Sequence, residues 1–266
     1  MHKLRVMLIA AMMALMVVAS YAQDNNWISD QDPAALQQDE IDKQIEALLE
    51  LYNSLAGAGF VNTAELHRIG GIDLRLSFLG SPVPEQFRDI IPTVKDPLEG
   101  VEFTSYGVLH GNLGVLPRLE VYGRFFTLPV QGEPKGGNVT LIGGGLKIGL
   151  LEDKPGSPAL AVMGGYQGLL VPDNFDFGSV STWSLKAYIS KSLPVITLYA
   201  GGGADRTDLN LTVPGLPPQI DESYRLLSPQ GTAGVTFKII PFVKINAEAN
   251  FSTFWSFAAG AGLSVR

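Results

Sequence analysis

The sequence predicts an all-β fold, an antiparallel up-and-down transmembrane β-barrel of about ten strands that follows one amphipathic N-terminal helix. Three observations favour this fold. A leader with a basic start and an uncharged apolar run precedes the rest of the chain. Polar and apolar residues alternate with a period of two after Gly59, and the long connections between strands fall on one side. A soluble β-sandwich also alternates in this way, but unbroken apolar faces and one-sided long connections favour the barrel.

Residues 1–22 have the pattern of a signal peptide. Lys3 and Arg5 precede an uncharged apolar run over residues 6–19, and small residues follow where a signal peptidase cleaves. The run is shorter than the roughly 20 residues that a membrane-spanning helix needs. We therefore predict export through a cleaved signal peptide and localisation in a bacterial outer membrane.

Composition excludes several classes of function. The chain has no Cys, which excludes a disulfide scaffold, a thiol nucleophile, a Cys-ligated metal and a lipidated Cys anchor. Its net charge of −7 argues against nucleic acid as a partner. The partners expected of an exported barrel are outer-membrane lipid, the barrel-assembly machinery, periplasmic chaperones and a small-molecule solute, and no cofactor is expected.

Residues 23–59 are predicted to form an acidic helical segment. Their apolar residues lie on one helical face, Asp32 has the character of an N-cap, and Gly57 and Gly59 end the pattern. Eight acidic residues and one lysine fall between residues 24 and 56. The local net charge of this stretch, 1 − 8 = −7, equals the net charge of the whole chain.

Residues 60–266 are predicted to form the barrel. The last three strands show the alternation most cleanly, because each has one wholly apolar face. The predicted strands cover residues 68–79, 101–114, 117–128, 138–151, 158–170, 180–191, 195–204, 232–239, 243–251 and 255–265.

The connections between these strands differ in length by side. Those on one side are mostly long and rich in Pro, Asp and Asn, whereas those on the other are short, as in bacterial barrels with periplasmic turns and longer external loops. The first set covers residues 80–100, 129–137, 171–179, 205–225 and 252–254, and the second covers 115–116, 152–157, 192–194 and 240–242.

Strand and turn patterns recur in five stretches, residues 62–67, 71–74, 119–125, 144–149 and 193–202. With them the chain resembles a family of uncharacterised bacterial outer-membrane β-barrel proteins, and the likeness runs over most of residues 45–266. The resemblance implies a barrel with a leading helical segment, and it implies no catalytic residue.

No constellation in the sequence points to catalysis. His67 and His110 are separated by a strand and a long loop, and no metal-ligand spacing surrounds either of them. A hydrolase or acyltransferase would need a nucleophile beside a His. His110 shares its inward face with Glu102 but with no Ser, so we expect structural roles for both histidines and no enzyme.

Inward-facing positions carry a surplus of positive charge, with seven cations against four carboxylates when Asp73 is included. Unpaired charges are costly to bury. We therefore expect the acidic stretch 32–56 to dock in or across the periplasmic mouth and partly plug the lumen. In the alternative, the lumen charges pair among themselves and the helix lies free in the periplasm. The predicted lumen-lining residues are Arg75, Glu102, His110, Arg118, Glu120, Arg124, Lys147, Lys186, Lys238, Lys244 and Glu248.

Two classes of function remain. The first is a narrow, porin-like channel or transporter for small anionic or amphipathic solutes, with the helix as its plug. Barrels of this size have largely filled interiors, so bulk conductance is not expected. The second is a non-transporting structural or surface-binding barrel of the Gram-negative envelope, whose long external loops at residues 80–100 and 205–225 contact a partner.

Overall fold

The computed structural model describes residues 46, 49–82, 103–130, 137–170, 178–211 and 222–265. The helical residues among them, 46 and 49–56, form α1, and ten strands follow. The strands are β1 (Ile72–Pro82), β2 (Phe103–Leu116), β3 (Leu119–Val130), β4 (Gly137–Leu151), β5 (Ala159–Leu170), β6 (Gly178–Ser192), β7 (Ile196–Leu211), β8 (Glu222–Ile240), β9 (Val243–Phe251) and β10 (Trp255–Val265).

The strands form one closed barrel. Each pairs antiparallel with its neighbours in the chain, and β1 also pairs with β10. This confirms the predicted fold class. We call the end of the barrel where β1 begins and β10 ends the short-turn end, and the opposite end the long-loop end. No helix in the described ranges is both long and apolar enough to cross a membrane.

The period-two alternation sorts side chains between the lumen and the outer surface. In β1, Asp73 and Arg75 are 3% exposed, whereas Leu74 and Leu76 remain 48% and 49% exposed. All ten strands carry exposed large apolar side chains on the outer face. A polar interior inside an apolar outer band is the pattern of a barrel whose solvent is lipid.

One pair of strands is longer than the sequence predicted. Residues 205–225 were expected to form a loop, but β7 continues to Leu211 and β8 begins at Glu222. The alternation continues through the charged stretch, because Asp205, Thr207 and Leu209 are buried. Because β7 extends through Asp205, the buried carboxylate of this residue lies in the lumen.

Glycines give inward-facing tyrosines room in the narrow lumen. A Cβ atom at Gly165 would overlap the Tyr122 hydroxyl, and the same conflict exists between Gly201 and Tyr188. Because Gly165 lies two strands from Tyr122, the ring lies across the intervening strand at Gly145. The high glycine content of β4 and β5 therefore reflects close packing inside the barrel.

Replacing Gly165 by alanine is expected to destabilise the barrel by about 1–3 kcal/mol, because the added methyl must displace Tyr122 or nearby backbone. Gly164 is the matched control, since it faces outward and a Cβ there would meet its nearest neighbours at 3.8 and 3.9 Å. Chemical denaturation of both variants in lipid vesicles measures the difference. Equal stabilities would contradict the packing of Tyr122 against Gly165.

Candidate functional site: a lumen filled by the N-terminal segment

Residues 49–67 lie inside the ring of strands, and we call them the inserted segment. Residues 51–64 are all buried, and side chains from most of the strands donate hydrogen bonds to the segment or accept them from it. The chain then turns at residues 68–71, where the Gly70 N–H donates to the Gly114 carbonyl at 2.8 Å, and continues into β1. The lumen is therefore occupied by the chain's own N-terminal part.

α1 occupies the long-loop half of the lumen. Its apolar residues Leu49, Leu51, Tyr52 and Leu55 belong to one buried cluster with inward-facing residues of the wall. All of these wall residues come from the strand halves nearest the long loops, and they include Leu79, Tyr106, Val108, Phe126, Val139, Leu141, Leu169, Val180, Leu209 and Ala258.

This position corrects the expectation that the helix docks at the periplasmic mouth, the short-turn end. The described part of the helix lies at the opposite end, and residues 57–67 run from there towards the short turns. The physical reason is complementarity, because the apolar face of α1 can be buried only where the inward face of the wall is apolar. Residues 32–45, where the predicted helix begins, lie outside the described residues.

Side chains of the wall bind the C-terminal end of α1. Arg124 Nη1 donates to the Ala56 carbonyl at 2.7 Å, and Gln167 Nε2 donates to the same oxygen at 3.1 Å. Lys186 Nζ donates to the Gly57 carbonyl at 2.6 Å. The last carbonyls of a helix lack partners within the helix and carry partial negative charge, so cations stabilise this end.

The middle of the inserted segment is held at Gly59 and Phe60. Arg75 Nη2 donates to the Gly59 carbonyl at 2.9 Å, and the Gly59 N–H donates to Glu248 Oε1 at 2.8 Å. Gly59 has a φ of 72°, a left-handed conformation that glycine adopts without strain. The guanidinium carbon of Arg124 lies 4.4 Å from the centre of the Phe60 ring, close enough for a cation–π contact.

A polar network holds the short-turn end of the inserted segment. Lys147 Nζ donates to the Thr63 and Glu65 carbonyls at 3.4 and 3.3 Å, and it pairs with Glu120 at 2.9 Å. Glu120 also accepts the His67 N–H at 3.0 Å. Cations of the wall therefore bind carbonyl oxygens of the inserted segment from Ala56 to Glu65.

The acidic side chains of the helix were predicted to balance the positive charge of the lumen, but the described part of the structure shows other partners for the wall cations. Glu46 and Glu50 are the described acids of the helix, and among the described residues neither pairs with a cation of the wall. Burial, together with the neighbouring Glu46, raises the pKa of Glu50. Main-chain carbonyls, which any sequence supplies, take the place that the side-chain acids were expected to fill.

The buried charges nearly balance within the described lumen. Five buried cations, Arg75, Arg124, Lys147, Lys186 and Lys244, face four buried carboxylates, Asp73, Glu120, Asp205 and Glu248. Each of the three lysines has a carboxylate oxygen within 4 Å, at 2.9 Å for Lys147–Glu120, 2.9 Å for Lys186–Asp205 and 3.5 Å for Lys244–Asp73.

Most of the predicted lumen-lining residues are buried inside the barrel. Arg118 is a correction, because it is exposed in the β2–β3 turn with a φ of 68°. Lys238 is only partly buried, at the last inward position before the β8–β9 turn, and Glu102 lies outside the described residues. The positions that are buried are Arg75, His110, Glu120, Arg124, Lys147, Lys186, Lys244 and Glu248.

His67, Glu120 and Ser264 form an arrangement that the sequence did not reveal, because Ser264 lies 197 residues from His67. His67 Nδ1 lies 2.7 Å from Glu120 Oε2, and its Nε2 lies 3.1 Å from Ser264 Oγ. An ionised carboxylate only accepts, so Nδ1 carries the proton and Nε2 accepts from the Ser264 hydroxyl. This is the order of groups in serine hydrolases.

This arrangement is sealed from substrate. Ser264 and His67 are each 3% exposed, and Glu120 is fully buried. Lys244 Nζ donates to Ser264 Oγ at 2.6 Å, which occupies the oxygen that would attack a substrate. In this state the three groups fasten His67 and the inserted segment to β3 and β10. No group of three or more metal-ligating side chains in the described ranges is placed to hold a metal ion.

Comparison with known proteins adds a family but no activity. Residues 91–265 match the model of a family of unknown function (DUF6588). The chain belongs to this family. The match confirms the expected membership of an uncharacterised family, and the matched range begins after the inserted segment. No curated protein matches the chain.

The chain is also similar to several solved structures. One is Ail, the attachment invasion locus protein of Yersinia pestis, at 15% identity over 74% of this chain and 99% of that chain, with a TM-score of 0.32. Another is the N-terminal β-barrel domain of Pseudomonas aeruginosa OprF, at 10% identity, 75% and 100% coverage, and a TM-score of 0.33. A third is OmpT, an outer membrane protein of Vibrio cholerae, at 12% identity, 60% and 54% coverage, and a TM-score of 0.32.

The position of α1 predicts the side on which the inserted segment enters the barrel. Because the chain has no Cys, single cysteines can be labelled without background. A membrane-impermeant maleimide is expected to label Glu46→Cys on intact cells, because residue 46 is exposed next to the long-loop half. Lys154→Cys, at a short turn where the side chain is 69% exposed, should react only after permeabilisation. The reverse pattern would contradict this direction of insertion.

Ser264 is expected to remain unmodified by a fluorophosphonate probe, because the hydroxyl is buried and already bound by Lys244. Mass spectrometry of the treated, folded protein measures the modification. A probe adduct that is absent from both Ser264→Ala and His67→Gln would contradict a purely structural role for the three groups.

Proposed function

We propose that the protein is a non-enzymatic outer-membrane barrel that forms a narrow passage for small anionic or amphipathic solutes, with the inserted segment as its plug. One observation carries the proposal. The inserted segment fills the lumen through hydrogen bonds between its main chain and side chains of the wall, and in the described residues no strand pairing ties it to the wall. Contacts of this kind can be exchanged for water or for a solute without breaking the barrel.

The wall residues that surround the inserted segment favour a solute that has both an apolar part and an anionic group. Its long-loop half is apolar, and its middle and short-turn half carry the buried cations. A barrel of this strand number has room for side chains or for one small ligand, which favours a selective passage over a wide pore. In this proposal the signal peptide directs export, periplasmic chaperones accompany the chain, and the barrel-assembly machinery inserts it into the outer membrane.

A second candidate function is a non-transporting structural or surface-binding barrel. The specific observation that favours it is the set of ion pairs within the wall, Lys147–Glu120, Lys186–Asp205 and Lys244–Asp73. In that case the inserted segment is a permanent core, and the long external loops, most of which lie outside the described residues, contact a partner.

Removal of the inserted segment is expected to open an anion-selective conductance. Because the contacts continue to His67, the deletion has to cover residues 23–66 and not only the helix. Planar-bilayer recordings compare this variant with the wild type after heat-modifiable migration has shown that both are folded. A folded deletion variant that does not conduct would leave the structural barrel as the function.

Immobilising α1 should abolish whatever conductance the wild type shows. Asn53 Oδ1 lies 2.9 Å from Thr207 Oγ1, so Asn53→Cys with Thr207→Cys can be joined by a short bis-methanethiosulfonate linker, which forms reducible disulfide bonds with both thiols. The matched control joins Thr182→Cys to Thr207→Cys, whose parent hydroxyls lie 3.0 Å apart within the wall. Only the first crosslink should close the passage, and reduction should restore it.

A further inference from the structure

Arg75, His110 and Arg124 form a row of buried side chains with nitrogen groups, which we call the cation row after its two guanidiniums. They occupy directly paired positions on β1, β2 and β3, where neighbouring Cβ atoms lie about 5 Å apart. Their exposures are 3%, 2% and 2%. On the next strand Gly143 adds no side chain, and Gln167 follows it on β5. Gln167 covers the Gly143 position, where a Cβ atom would lie 2.6 Å from the Gln167 Cβ, so the cation row borders an amide side chain on this side.

The cation row has more donors than the inserted segment uses. Arg124 donates Nη1 to the Ala56 carbonyl, whereas its Nε and Nη2 have no hydrogen-bond partner among the described residues. Arg75 Nε and His110 Nε2 are likewise without a partner there. No carboxylate in the described ranges pairs with either guanidinium. Buried donors without acceptors are costly, so this site is only partly satisfied.

The charge of the lumen defines the anion that would complete the site. Among the described residues, five buried cations face four buried carboxylates, an excess of one positive charge. The lysines take Asp73, Glu120 and Asp205, while Glu248 binds the Gly59 N–H and the Tyr199 hydroxyl. The excess therefore resides on the guanidiniums, and one monoanion would neutralise it.

An apolar ring adjoins the cation row on its long-loop side. On β2 to β5, the inward residues two positions beyond the level of the cation row are buried and apolar, whereas β1 has the buried Ser77 there. α1 covers these apolar residues. A ligand with its anion at the cation row would extend an apolar part into this ring. The ring comprises Val108, Phe126, Leu141, Leu169, Val180 and Leu209.

We propose that the cation row binds the carboxylate of a single-chain amphiphile, whose tail occupies the apolar ring in place of α1. The Ala56 and Gly59 carbonyl oxygens are the acceptors that Arg124 and Arg75 now bind, and the carboxylate would take the place of such an acceptor. A guanidinium fork matches a carboxylate with two parallel hydrogen bonds, so the exchange replaces neutral acceptors by a charged one. The inference deepens the proposed passage by naming a solute class, but binding itself requires no transport.

The test uses the full mature chain in a non-ionic detergent, with sodium decanoate, decanol and decyltrimethylammonium as probes. Isothermal titration calorimetry is expected to show saturable binding of one decanoate per chain. Decanol should bind about tenfold more weakly or worse, because it lacks the charge that the arginines recognise. The cationic probe should not bind.

Arg124→Gln is expected to weaken decanoate binding by about tenfold and to leave decanol binding unchanged. Arg225→Gln is the matched control, because that side chain is 68% exposed and faces outward near the long loops. If Arg124→Gln does not fold, Arg124→Lys keeps the charge and loses the fork, and a several-fold loss is expected.

Equal affinity for decanoate and decanol, no decanoate binding, or an unchanged Arg124→Gln variant would each overturn the proposal. The displacement of α1 has its own readout, since Ser54 is fully buried and Ser54→Cys should react faster with a thiol reagent when decanoate is added. Decanoate binding without conductance would support this binding site and contradict the proposed transport function. Conductance without decanoate binding would remove this site alone.

Discussion

The hydrogen bonds between buried cations of the wall and carbonyl oxygens of the inserted segment are the interaction on which the rest of the structure depends. A closed ring of strands turns every second side chain inward, and polar groups placed there need partners away from bulk water. Four of the five buried cations donate to carbonyls of the inserted segment. Each such bond to a charged donor contributes about 1.5–3 kcal/mol.

The same interaction fixes the direction of α1. The C-terminal end of the helix points down the lumen to Arg124 and Lys186, and its apolar face meets the apolar half of the wall. A helix inserted the other way would aim its positive end at these cations. The direction of the helix dipole therefore matches the distribution of charged and apolar residues along the lumen, which explains why α1 lies in the long-loop half.

Period-two alternation was sufficient to predict the strands and eight of the buried lumen residues, because the inward or outward direction of a side chain is a local property. The boundary at Asp205 was missed because a charged stretch was interpreted as a loop, although its alternation continues. The position of α1 was missed for another reason. The position of α1 depends on which strand halves face each other across the barrel. In addition, the acceptors that hold the inserted segment are main-chain carbonyls, which are present in every sequence and therefore give no sequence signal. Ser264 meets His67 only when β10 closes on β1.

That closure has a consequence for the order in which the molecule assembles. The seam between β1 and β10 joins the first and last strands, and the inserted segment is continuous with β1. Once the seam is hydrogen-bonded, the segment could enter only by threading the whole N-terminal chain through the ring from the short-turn end. Wrapping of the nascent sheet around the segment while the seam is still open avoids this threading. In that order of assembly the strands close around the inserted segment, and the pairing of β1 with β10 is the step that encloses it.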